Sequence, residues 1–92
     1  MFLGVYRFDG DPDVLVEGYD RLVASIPAGM IELQVCITTD QGISVLDTCP
    51  SREVFDGFST SEGFAAAVEA AGLPAPTVEP LGEVHRFTAP NA

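Results

Sequence analysis

His85 is the chain's only histidine, and an imidazole with an ordinary pKa of about 6.5 is the side chain best suited to proton transfer near neutrality. Its neighbours Glu83 and Arg86 are charged, which suits a strand close to solvent. Its plainer role is a hydrogen-bonding residue at a surface or interface. Asp47 is the sharper oddity, because it interrupts an apolar alternation. A carboxylate in that setting must lie at a rim or be hydrogen-bonded, and its plainer role is to accept from backbone N–H groups at a helix start or from an arginine. Tyr6, Gln34, Cys36 and Thr38 bring a phenol, an amide, a thiol and a hydroxyl that can orient a small polar-aromatic ligand. Interface packing is the bland alternative for all four.

Neither Cys36 nor Cys49 has a base beside it in sequence, so neither reads as a nucleophile. Two cysteines without a CxxC or a histidine cluster do not make a zinc site. No glycine-rich phosphate loop, Ser/His/Asp order or cofactor motif is present, so the reading includes no cofactor and no metal. These residues leave open whether the protein is an enzyme.

The element that must position most of them is the hairpin Met30–Cys49. Ile31-Glu32-Leu33-Gln34-Val35-Cys36-Ile37 alternates, reaches Asp40-Gln41-Gly42, and returns as Ile43-Ser44-Val45-Leu46-Asp47-Thr48-Cys49. Asp-x-Gly is turn chemistry, and a loop of those three residues sets Thr39 opposite Ile43. On that register Ile31, Leu33, Val35, Ile37, Ile43, Val45, Asp47 and Cys49 share the core face, while Glu32, Gln34, Cys36, Thr38, Ser44, Leu46 and Thr48 share the other. The two cysteines then lie on opposite faces and cannot form a disulfide without backbone movement.

Met1–Phe8 reads as a first strand, with Phe2, Tyr6 and Phe8 on one side and Leu3 and Val5 on the other. Asp11 is an N-cap ahead of Pro12, and Leu15, Tyr19, Leu22, Val23 and Ile26 form the apolar stripe of a helix that Pro27-Ala28-Gly29 ends. Ser51 caps a second helix carrying Phe55 and Phe58. Gly57 and Ser59-Thr60-Ser61 predict a kink or break, with Ser59 or Ser61 recapping a piece through Phe64, Val68 and Ala71. Gly72 fits a left-handed helix terminus, and Pro74 and Pro76 forbid continuation. Thr77–Thr88 reads as a last strand at an edge or with a bulge, because Pro80 interrupts it.

The order β-α-β-β-α-β predicts an α+β, ferredoxin-like single domain over residues 1–92: a four-stranded antiparallel sheet with two helices on one face and a frayed tail at 89–92. Ninety-two residues remove only about 60–65% of the unfolded surface from water. The bare sheet face with Cys36 and Leu46 therefore predicts a homodimer. With 14 acidic residues against four arginines and no lysine, the net charge of −10 repels phosphate backbones and anionic lipid, which argues against nucleic-acid and membrane partners. No run approaches the roughly 20 apolar residues of a membrane span, and no leader pattern is evident, so the expected location is cytoplasmic.

The span Gly42–Phe58, followed by Ala70-Ala71-Gly72-Leu73-Pro74 and a strand ending Glu83-Val84-His85, resembles the antibiotic-biosynthesis-monooxygenase-like group of dimeric α+β barrel proteins, in particular its short bacterial members. The resemblance implies that two sheets pack face to face into a barrel. It also implies a function: binding a small organic molecule, with cofactor-independent monooxygenase chemistry as its enzymatic form. The competing function is a non-catalytic dimeric binding or regulatory module, or an accessory subunit. Relatives commonly carry an aromatic residue where this chain has Cys49. The Asn-Trp-His set of the haem-degrading branch is absent, which sets that activity aside. The site expected in this fold lies on the sheet face away from the helices, with His85 as acid or base and Tyr6 and Gln34 orienting the ligand.

Overall fold

A computed structural model describes residues 1–27 and 32–89. Ile31, the Ala28-Gly29 helix exit, the Met30 start of the hairpin and the 90–92 tail lie outside the described residues. The chain runs β1 (Phe2–Asp9), α1 (Pro12–Ser25), β2 (Gln34–Thr39), β3 (Gly42–Cys49), α2 (Arg52–Ser59), α3 (Glu62–Ala70) and β4 (Thr77–Glu83). The strands form one antiparallel sheet in the order β2-β3-β1-β4. The fold is α+β, compatible with the ferredoxin-like arrangement, but with three helices among the described residues where two are expected.

Local hydrogen-bond chemistry sets the helix ends. The Asp11 carboxylate accepts from Asp13 N at 3.0 Å ahead of Pro12, and Ser51 Oγ accepts from Val54 N at 3.2 Å. The second helix breaks where glycine and hydroxyl residues cluster. Thr60 Oγ1 donates to Asp56 O at 2.7 Å, and Ser61 Oγ donates to Phe58 O while accepting from Phe64 N to start α3. Gly72, with φ of 79°, closes α3, and Leu73 N returns to Val68 O.

The hairpin departs from expectation by one residue. The chain reverses through Asp40-Gln41, and Thr39 pairs with Gly42, not Ile43. Gly42 has φ of 151° and passes so close to the Phe8 carbonyl that a Cβ would strike it. Side chains alternate, so this slip turns β2 over relative to β3. Gln34, Cys36 and Thr38 now share the face of Ile43, Val45 and Asp47, while Val35 and Ile37 point the other way and are 46% and 44% exposed. The expected sorting holds within β1 and β3 and is reversed for β2.

β1 is the central strand that both layers use. Phe2, Tyr6 and Phe8 join Ile43 and Val45 under Leu15 and Leu22 of α1, Phe55 of α2, and Phe64 and Val68 of α3. Phe2, Tyr6, Phe55, Phe64 and Phe58 form a continuous chain of tilted aromatic contacts, with neighbouring centroids 4.9–5.6 Å apart. Phe55 reaches the sheet only because Gly4, directly beneath it, has no side chain.

β4 pairs on the outer side of β1, and its register shifts between Leu3 and Gly4. Leu81 is the extra residue beside Pro80, so Pro80 does mark a bulge on an edge strand. The strand stops at Glu83, short of the expected Thr88, and His85 lies beyond it.

Both cysteines are free, and both belong to the helix-side face, not to opposite faces. Cys36 pairs with Val45, four positions before Cys49 on β3, which separates the thiols by roughly 13 Å along the sheet. That gap is too long for a disulfide. Two equivalents of thiol are expected to react with a colorimetric reagent after unfolding without reductant, and a count of zero would contradict this register.

Candidate functional site

β2 and β3 bring Gln34 and Asp47 together as register partners, and Gly4 of β1 completes that row. Tyr6 stands in the next row, opposite Val45. Because β2 is turned over, Gln34 joins Asp47 and Tyr6 on the side of the helices and not on the bare sheet face. They meet at a cleft of about 260 Å³ between the sheet and the three helices.

The floor of the cleft is buried and largely apolar: Tyr6, Phe8 and Val45 from the sheet and Phe64 from α3. Leu22 and Val23 of α1 form one wall, and Val54, Phe58 and Ala67 form the other. Pro27, Pro50, Val54 and Phe58 are exposed and mark its rim. Phe58 at the end of α2 meets Phe64 at the start of α3 with ring centroids 4.9 Å apart in a tilted contact, so the wall runs on into the floor on the side opposite α1.

Polar groups interrupt this lining. Tyr19 of α1 donates its hydroxyl to Gln34 Oε1 at 2.5 Å, which ties the helix to the edge strand, and the Gln34 amide nitrogen has no hydrogen-bond partner among the described residues. Cys49 Sγ donates to Ser51 O at 3.2 Å. The Tyr6 hydroxyl is buried and has no hydrogen-bond partner among the described residues. Asp47 is half-buried, and neither the helix-start N–H groups nor the arginine expected as its donor is supplied: no described residue hydrogen-bonds its carboxylate.

The titration behaviour follows from this burial. Asp47 is pushed up to about 6, chiefly by loss of water and secondly by the Glu32 charge. Burial raises the Tyr6 phenol far above its ordinary value, with the Asp47 and Cys49 charges adding to it. Burial also raises Tyr19, and it raises Cys36 and Cys49, so both thiols stay protonated near neutral pH.

Of the residues singled out in the sequence, Tyr6, Gln34 and Asp47 come together at the cleft. Cys36 packs half-buried against the core beside it without lining it, and Thr38 is exposed toward the hairpin end of β2. His85 is exposed past the end of β4 and does not line the cleft. The residues not anticipated as site residues are Tyr19, Cys49, Phe58 and Phe64. Tyr19 was legible as part of the α1 stripe, and its hydroxyl was the available signal, since a tyrosine inside an apolar stripe needs a hydrogen-bond partner.

Among the described residues no group of three or more His, Cys, Asp or Glu is arranged to hold a metal ion, and no helix is long and apolar enough to cross a membrane. Comparison with family models, with curated proteins and with solved structures finds no match for this chain.

Proposed function

We propose that this is a cytoplasmic protein of the dimeric α+β barrel kind that binds a small organic molecule in the cleft between its sheet and its helices. The observation that carries the reading is the Tyr6 hydroxyl, buried without a partner among the described residues beside the Asp47 carboxyl at the floor of an apolar cleft. A buried hydroxyl lacking its hydrogen bond costs about 1–3 kcal/mol, which a seated ligand relieves. A cavity of ~150 Å³ accepts a benzene ring, so the 260 Å³ here suits a single ring with a short side chain.

Asp47 is ionised at neutral pH yet titrates close enough to it to take a proton from a bound molecule. Cofactor-independent oxygenation, as in the monooxygenase-like proteins, is the enzymatic form of this reading, with Asp47 in place of His85 as the base. A non-catalytic dimeric binding or regulatory module is the second reading. The protonated thiols favour it, because they leave the cleft without a nucleophile.

Dimerisation is proposed through the sheet face that the helices leave uncovered. Leu46 and Val35 are neighbours across β3 and β2 on that face, with Leu3 and Ile37 beside them, whereas Val5 in the same row is already buried within the protomer. The charged pair of this face, Arg7 with Glu79, is internally neutralised. Two copies each carrying −10 approach most readily where the surface is least acidic, and on this face the exposed Asp9 at the end of β1 is the carboxylate that Arg7 does not offset.

Titration with benzyl alcohol is expected to shift the amide signals of Gln34, Asp47 and Phe64 in a protein NMR spectrum. Sedimentation equilibrium is expected to give twice the 9.7 kDa chain mass, reduced to the monomer by Leu46→Glu. Shifts scattered over the surface reject the cleft, and a wild-type monomer rejects the barrel.

A further inference from the structure

The cleft places a carboxylate among aromatic and aliphatic groups, and the chain offers it no counter-charge. Each basic group is engaged or held elsewhere. Arg7 pairs with Glu79 on the far sheet face, Arg21 donates through Nε and Nη2 to Ala71 O at 3.1 and 2.9 Å, and Arg52 lies 3.5 Å from Asp56. The amino terminus pairs with Glu83, while His85 and Arg86 lie in the exposed segment after β4. The sequence contains no lysine, and residues 28–31 and 90–92 contain no basic residue. Within the cleft, α2 and α3 contribute only uncharged lining, and the ionisable groups facing Asp47 are Tyr6 from β1, Tyr19 from α1, Glu32 before β2 and Cys49 from β3. None of these carries positive charge.

A partly buried carboxylate without a partner is unfavourable, and above its pKa the ligand that relieves it most is a cation. Phe58, Phe64 and the Tyr6 ring supply π-faces that favour the same sign of charge. A carboxylate or phosphate ligand would meet Asp47 and Glu32 with no arginine to offset them, so anions are disfavoured as well as unrewarded. From this juxtaposition of an unpaired Asp47, an unpartnered Tyr6 hydroxyl and aromatic walls, we propose that the cleft selects a small hydrophobic amine, bound as its ammonium ion. The ammonium group sits against the Asp47 carboxylate and donates to the Tyr6 oxygen, while the hydrocarbon part lies between the α1 wall and Phe58 and Phe64. This inference rests on the reading of the cleft as a ligand site.

The test compares benzylamine, benzyl alcohol and benzoate by calorimetry at pH 7.5. Benzylamine is expected to bind at least tenfold more tightly than benzyl alcohol, with benzoate weakest. Asp47→Asn is expected to bring benzylamine down to the affinity of the alcohol. In the wild-type protein the amine is expected to weaken about tenfold on lowering the pH to 5.0, as a carboxyl titrating near 6 loses its charge, with no matching change for the alcohol. This pH comparison needs no variant and stands even if Asp47→Asn folds poorly. Benzyl alcohol or benzoate binding as well as the amine would overturn the charge preference while leaving the cleft as a ligand site. Unaltered amine affinity in Asp47→Asn or at pH 5.0 would do the same. Absence of binding by all three would overturn both.

Discussion

Replacing Gly4 by alanine is expected to lower the unfolding free energy by about 3 kcal/mol, near the upper end for overpacking a core. A Cβ at Gly4 would fall within the ring of Phe55, one of the two largest fully buried side chains, which cannot retreat because Phe2 and Tyr6 hold it at 5.6 Å on either side. Phe55→Ala alone is expected to cost about 3–5 kcal/mol through the cavity it leaves. The two changes act on one space, so the double variant should lose clearly less than the sum of the single losses. Denaturant unfolding of the four proteins measures this, and additive losses would show that the ring does not depend on the missing side chain. A domain of this size has about 5–15 kcal/mol in total, so Gly4→Ala alone is expected to remove roughly a fifth to three-fifths of it.

Asp47→Asn is expected to stabilise the protein at pH 7.5. Burial holds the folded-state pKa near 6 against an ordinary 3.8, which means that the ionised form is the disfavoured one in the fold. The cost is fully present above pH 6 and disappears as the pH falls toward 4, because the folded protein binds the proton more tightly than the unfolded chain. The full shift corresponds to about 3 kcal/mol, and partial solvent access at the cleft reduces this to about 1–2 kcal/mol. Wild-type stability should therefore rise on going from pH 7 to pH 4.5, and the asparagine variant should show a flatter profile and a higher Tm at pH 7.5. A variant less stable than wild type at pH 7.5 would mean that Asp47 has a donor in the folded state. Its gain in stability, set beside the expected loss of amine affinity, would identify Asp47 as a residue kept for binding at the expense of the fold.

Much of the architecture is readable from local chemistry. Asp11-Pro12, Ser51 and Ser61 start helices through hydrogen bonds that span two or three residues, and Gly57 with Ser59-Thr60-Ser61 breaks the second helix for reasons contained in the same short stretch. Pro80 marks the β4 bulge in the same local way. The parity of β1, with Phe2, Tyr6 and Phe8 inward, follows from its own alternation. Tyr6, Gln34 and Asp47 are legible as residues because each is a polar group set in an apolar pattern. How they are related to one another is not.

That relation depends on the length of one turn. Asp40-Gln41-Gly42 closes a hairpin as a loop of two residues or of three with the same composition, and hydrophobic patterning favours the wrong one, because it assigns the apolar side of β2 to the core. The tertiary structure reverses this. It sets Gln34 beside Asp47 under Tyr19 and leaves Val35 and Ile37 outward, since the space beneath α1 there is a cleft with polar groups to satisfy and not a filled core. His85 is decided in the same nonlocal way, because the β4 bulge and the end of pairing at Glu83 carry it away from the site. Caps, breaks and bulges are settled by bonds within a few residues, so the sequence alone determines them. The face a strand presents is settled by what packs above it from distant parts of the chain, and here that packing decided where the site lies.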